Sequence, residues 1–333
     1  MVRIAEYVEP QQEHLARLLV QIGVEEVVSV LPRTGSLHTS GTAAATTKSD
    51  EPWDVLPLAL LKQHFADLGL ALTVIEDAPP MERVRNGQPG REEELGPVLT
   101  LIESMGRLEI PVLCVNFMAG TGWARTSTTL RGRGGALVSG FDHALVDGLG
   151  GAADLPALTQ EQVRDNLDWF VDNVKGALES AGVFLALHPD DPPIPSLRGV
   201  GRALASLDDL ERVVRHAGSP NVGITFCQGN IALMTDDLPA AIRRFAALDC
   251  IHFVHFRDVR GVPDNFVEVF HDEGPTDMSA CMRAYAECGV DAPIRSDHVA
   301  TLDGDSNDRP GYSTLGRLWA VGYMQGLREA ANA

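Results

Sequence analysis

Apolar and polar positions along the chain alternate between two textures. Short β-branched or apolar runs occupy 3–8, 26–32, 72–77, 111–117, 183–189, 222–227, 251–258 and 292–297. Each is followed by a longer stretch in which apolar residues return every three to four positions: 10–22, 54–69, 95–107, 160–181, 206–216, 237–247, 277–288 and 312–330. The first texture predicts strands and the second amphipathic helices. Pro57 interrupts the second helical pattern, so a kink or a delayed start is expected there. Strand followed by helix, eight times over, predicts a single (β/α)8 TIM barrel across residues 1–333. A doubly wound sheet would also alternate, but no phosphate-binding GxGxxG follows a strand. Two stretches escape the alternation: 33–53, rich in Thr, Ser and Ala, and 118–159, rich in Gly. Both read as insertions that extend βα loops, suited to lids or binding loops. Gly132-Arg133-Gly134-Gly135, inside the second, reads as flexible loop.

Composition narrows the partners. With 27 basic and 46 acidic residues the formal charge is -19, which repels phosphate backbones and argues against nucleic acid. A local basic site for a small anion stays compatible with that surface. No apolar run is long enough to span a membrane. Met1 to Tyr7 has an early Glu and no apolar core, so no signal peptide is expected. Cys114, Cys227, Cys250, Cys281 and Cys288 are odd in number and form no CxxC pair. That pattern suits reduced thiols in a cytoplasmic protein. The expected partner is a small molecule, with neither nucleic acid nor membrane, and self-association into a homo-oligomer is left open.

In a barrel of this kind the chemistry gathers where strands end. The fifth predicted strand ends in His188, the sixth in Cys227, the seventh in His255 and the eighth in Asp297. Neighbouring strands lie about 4.8 Å apart, so four metal-capable side chains on successive strand ends can converge on one ion. Alternation refines the choice: His255 and Arg257 share the inward face, as do Arg295 and Asp297, whereas His252 faces the helix layer. Arg257 and Arg295 therefore become candidate anchors for a substrate carboxylate. Glu76, after the third strand, is a candidate acid, base or helix-cap acceptor, and Asn116, after the fourth, a candidate partner for a substrate hydroxyl. His271, Asp272 and Glu273 follow the seventh strand and either line the site or form a solvated loop. Tyr312, opening the last helix, is a candidate phenolic acid or base.

These motifs together resemble the mannonate dehydratase family of xylose-isomerase-like barrels. The resemblance rests on Asn116-Phe117-Met118 with Trp123-Ala124-Arg125-Thr126, on His188-Pro189-Asp190-Asp191-Pro192-Pro193, and on Phe226-Cys227-Gln228-Gly229-Asn230. It continues through His252 to Val259, Asp277-Met278, Arg295-Ser296-Asp297-His298 and Pro310-Gly311-Tyr312-Ser313, in order along most of the chain. It implies dehydration of D-mannonate to 2-keto-3-deoxy-D-gluconate in hexuronate catabolism, with Mn2+ or Fe2+ as cofactor. Carried over residue by residue, it places the ligands on His188, Cys227, His255 and Asp297 and proton transfer on His298 and Tyr312. By softness alone a Cys–His–His–Asp set suits Zn2+ or Fe2+ better than Mn2+, so other divalent ions stay open. The chain differs from the family pattern in Ser296 and Val299 around the last motif, Asn230 in the Cys motif and Ala119 after Met118. It is also short for the family, chiefly between the fourth strand and its helix. Two alternatives share the same residues: a metal-dependent sugar isomerase, epimerase or lyase acting on an uncharged or keto sugar, and a non-catalytic metal-bound sugar sensor.

Overall fold

The computed structural model describes residues 2–32, 51–120, 122–148 and 157–332. Eight parallel strands close into a barrel: Arg3–Tyr7, Glu26–Ser29, Ala71–Glu76, Val112–Asn116, Phe184–His188, Val222–Cys227, Ile251–His255 and Pro293–Arg295. Each pairs with its neighbours in sequence order, and the first closes on the eighth. The predicted barrel is therefore the observed fold.

Strand alternation divides the core in two. Ala5, Tyr7, Val28, Val74, Val112, Cys114, Ala186 and Phe253 fill the barrel interior. Residues of the opposite parity, such as Ile4, Val27, Leu113, Leu187 and Val254, face the helices and join one continuous outer cluster. Phe226 shows the outer packing: its ring meets Phe245 and Tyr285 edge-on at 6.2 and 6.0 Å. Glu6 is fully buried, and Ser296 Oγ donates to it at 2.6 Å. Burial pushes the Glu6 carboxyl up, against the pull of Arg317.

Helix ends follow local chemistry. Thr159 and Gln162 form a reciprocal capping box that starts Gln160–Ala181. Asp237 and Asp277 cap Leu238–Ala246 and Met278–Glu287 through their carboxylates. Pro57 falls in the first turn of Val55–Asp67, where a missing N–H costs nothing, so it neither kinks nor delays that helix. Arg91–Arg107 begins four residues earlier than its periodicity suggests, on the acidic turn Glu92, Glu93 and Glu94.

The loops depart from the sequence reading. The stretch after the fourth strand carries Ser127–Arg131 and Leu137–Asp142, with Arg133–Gly135 as the turn between them. The seventh strand stops at His255, and Asp258–Val262 and Asn265–Val269 follow as a hairpin. These four strands form one antiparallel sheet. Thus part of the 118–159 insertion is ordered sheet rather than loop, while most of 33–53 lies outside the described residues. The helix layer should be sensitive to truncation: Phe226→Ala is expected to destabilise the protein by about 3–5 kcal/mol. A shift in urea midpoint worth under about 1 kcal/mol would contradict the packing described.

Candidate active site

At the C-terminal ends of the strands lies a cavity of about 670 Å³, lined by Tyr7, Glu76, Asn116, Trp123, His188, His255, Arg295, Asp297, His298 and Tyr312 among others. That volume suits a small metabolite. His188, Cys227 and His255 bring their donor atoms within 4.8 Å of one another. His188 Nε2 lies 3.2 Å from His255 Nδ1. Asp297 Oδ2 adds a fourth donor, 3.6 Å from His255 Nδ1 and 3.7 Å from Cys227 Sγ.

Surrounding groups prepare these donors for a cation. His188 Nδ1 donates to the Pro189 carbonyl at 2.6 Å, which leaves its Nε2 lone pair facing the cluster. On the far side of the His255 ring, Nε2 lies 3.4 Å from Glu76 Oε1, a carboxylate–imidazole arrangement typical of metal-bound histidine. Burial and Arg295 oppose protonation of His255, but Asp297 and Glu76 outweigh them and push its pKa up to about 9. Two imidazoles, a thiol and a carboxylate converging at these distances fit a divalent ion. Glu76, Cys114 and His255 form a second close group. Both Glu76 oxygens there accept from Arg295, at 2.7 and 2.6 Å, so a guanidinium already balances that carboxylate.

The two arginines separate in role. Arg257 is buried with every N–H committed: Nε to Asp297 at 2.5 Å, Nη1 to Glu268, and Nη2 to Asp191 and Asn230. It does not line the cavity, which corrects its reading as a substrate anchor; it holds Asp297 from behind. Gly229 leaves room for this guanidinium, since a Cβ there would lie 2.5 Å from Arg257 Nη1. Arg295 does line the cavity, and its buried Nη1 has no hydrogen-bond partner among the described residues. Its other nitrogens grip Glu76 and, at 3.0 Å, Asp297 Oδ1. Burial opposes ionisation of Glu76, but Arg295 and His255 outweigh it and hold the carboxyl at about 2. Glu76 is thus an ionised buttress for Arg295 and His255 rather than a free acid or helix cap. Asn116 is exposed on the rim of the same cavity.

Asp297 has φ 41°, in the left-handed region. This single turn breaks strand alternation, so Asp297 and His298 both face the cavity although they are consecutive. Val299 then pairs with Gly311, itself at φ 87°, which brings Tyr312 beside His298 with ring centroids 5.6 Å apart. Burial pushes the Tyr312 phenol up, so it keeps its proton. Both predicted proton-transfer groups therefore share one wall. His271 does not reach the cavity: it is buried behind Phe256 and Trp319, and burial lowers its pKa to about 4. Asp272 pairs at the surface with Arg133, so the solvated-loop alternative describes it.

Sequence reasoning missed Arg125, Asp191 and Glu268 as site residues. Arg125 bridges Asp191 at 2.6 Å and Glu268 at 2.5 Å, and Glu268 meets His298 Nδ1 at 2.9 Å. A Glu inside the apolar run Phe266-Val267-Glu268-Val269-Phe270 was the available signal.

The family model described as D-mannonate dehydratase (UxuA) matches residues 12–155 and 152–333. The chain is 30% identical over 315 residues to a mannonate dehydratase of Enterococcus faecalis, covering 84% of this chain and 87% of that one. It is 29% identical to mannonate dehydratase 2 of Halalkalibacterium halodurans, over 84% and 88% of the two chains. The crystal structure of mannonate dehydratase from Streptococcus suis serotype 2 superposes with a TM-score of 0.87 at 25% identity, covering 99% of this chain and 93% of that one. An L-ribulose 3-epimerase, at 16% identity and a TM-score of 0.60, shares the barrel fold. The cluster itself can be tested directly. Cys227→Ala is expected to lose about one equivalent of tightly held divalent ion, and full occupancy by elemental analysis would refute this ligand set.

Proposed function

The chain belongs to the D-mannonate dehydratase family, and from that premise we propose how its own residues carry the reaction. As a hydro-lyase of this family it converts D-mannonate to 2-keto-3-deoxy-D-gluconate and water. His188, Cys227, His255 and Asp297 hold the metal, Mn2+ or Fe2+. When bound, that ion would supply Lewis-acid chemistry to the reaction. The supporting observation is Arg295, which lines the cavity together with His298 and Tyr312 and whose buried Nη1 has no hydrogen-bond partner among the described residues. A buried donor without a partner is expensive, and a substrate carboxylate would satisfy it.

In this reading Arg295 binds the carboxylate and stabilises the negative charge that develops beside it as the C2 proton leaves. The C2–H electron pair becomes the C2=C3 bond, the C3–O bond breaks, and hydroxide departs as water after taking a proton. The resulting enol tautomerises to the 2-keto acid. His298 and Tyr312 form the proton-transfer pair, one removing the C2 proton and the other protonating the leaving oxygen. Asn116 binds a substrate hydroxyl at the rim. We place the activity in hexuronate catabolism and in the cytoplasm. All five cysteines are free and four of them buried, which suits a reducing compartment. No helix among the described residues is long and apolar enough to cross a membrane.

Mn2+-loaded protein incubated with D-mannonate in D2O should release a 3-deoxy-2-keto acid visible by NMR. Conversion of D-mannose with D-mannonate untouched would replace the dehydratase with an isomerase. Tyr312→Phe deletes only the hydroxyl, so metal content should hold while kcat falls about 10²–10⁴-fold; near-normal kcat would remove Tyr312 from the pair. Arg295→Gln should raise KM for the acid by the equivalent of about 2–5 kcal/mol, whereas an unchanged KM would put the carboxylate elsewhere.

A further inference from the structure

Glu268 belongs to the hairpin strand Asn265–Val269, outside the barrel, yet its carboxylate is buried against the cavity wall. Oε1 takes Arg125 Nε at 3.1 Å, Arg125 Nη2 at 2.5 Å and His298 Nδ1 at 2.9 Å. Arg257 Nη1 adds contacts at 3.2 and 3.0 Å to the two oxygens. Clamped by two guanidiniums, this carboxylate can only accept. His298 Nδ1 must then be the nitrogen that carries hydrogen. Arg125 Nη2 also approaches Nδ1, but at 3.4 Å, and the shorter charge-assisted contact decides the tautomer. The lone pair of a neutral His298 ring therefore sits on Nε2. That atom is 3.8 Å from Asp297 Oδ1, beyond hydrogen-bonding distance. Trp123 and Tyr312 hold the ring in place, with centroids 5.2 and 5.6 Å away.

We propose that Glu268 is the positioning residue that holds His298 as the Nδ1–H tautomer, with Nε2 set to receive the C2 proton. This deepens the dehydratase reading and rests on it. His298 is then the base, and Tyr312 gives its proton to the departing hydroxide. The acidic partner of the histidine arrives from the seventh βα hairpin, and the Arg125 that clamps it arrives from the loop after the fourth strand. The antiparallel sheet outside the barrel thus contributes to the chemistry through a carboxylate that stands behind the cavity wall.

Glu268→Gln keeps the shape and removes the charge. In Mn2+-loaded protein it should lower kcat for D-mannonate about 10²–10⁴-fold with KM within about threefold, as when a histidine loses the carboxylate that fixes its tautomer. Metal content should not change. Because Glu268 acts through His298, adding Glu268→Gln to His298→Asn should have no further effect on kcat. Metal loss in Glu268→Gln, or an undiminished fall in kcat in the His298→Asn background, would overturn the proposal and assign Glu268 to the support of Arg257 and Asp297. A second measurement does not depend on turnover. In Zn2+-loaded protein with 15N-labelled histidine, the His298 ring, identified by its absence in His298→Asn, should show hydrogen on Nδ1. It should lose that preference in Glu268→Gln. A wild-type ring carrying hydrogen on Nε2 would refute the inference, whereas wild-type protein inert toward D-mannonate would strike the dehydratase reading instead.

Discussion

The site is organised by the burial of one guanidinium among three carboxylates. Arg257 is almost fully buried, and Asp191, Glu268 and Asp297 each take one of its nitrogens. An isolated buried charge is very costly, so these four groups must arrive together. They come from different places: the end of the fifth strand, the seventh strand and its hairpin, and the end of the eighth. Arg125 joins Asp191 to Glu268 with both side chains buried. Arg295 repeats the principle across the cavity, pairing with Glu76 and Asp297. Burial opposes ionisation of Asp297, but His298 and His255, with Arg295 and Arg257, hold its carboxyl well below the usual carboxylate range.

That arrangement explains how soft and hard donors share one point. Barrel closure sets the spacing of the strand ends, and the ion pairs set orientation. The two strained or tight places serve the same end: Asp297 at φ 41° turns two consecutive residues inward, and Gly229 gives Arg257 space. Asn230 fits here too. Its side chain donates to the Asp190 carbonyl at 2.7 Å and accepts from Arg257 and Cys227. Ser296 is likewise satisfied, through Glu6.

Much of this was legible from residues alone. The barrel strands are buried runs with clear edges, and the four ligand-type residues mark successive strand ends, which alternation can find. The antiparallel sheet was hidden because its strands are short and show no clean alternation: Ser127–Arg131 has no buried residue, Asp258–Val262 buries only its first two, and Leu137–Asp142 buries four in a row. Without alternation there is no period to read. Arg257 was misjudged for a related reason. Parity locates the direction of a side chain, but its partners Asp191 and Glu268 lie 66 and 11 residues away and are joined to it only by folding. His298 was unreadable by alternation because a left-handed residue precedes it.

The Arg125–Glu268 contact spans 143 positions of sequence, and both side chains are buried, which weakens solvent screening. Removing either member leaves a buried charge without its counterpart, while an exchange at both can restore neutrality. Arg125, Asp191, Arg257 and Glu268 should therefore behave in evolution as one heritable character. Related chains are expected to keep the quartet whole or to replace it as a set, and drift at a single member is the pattern that neutrality forbids.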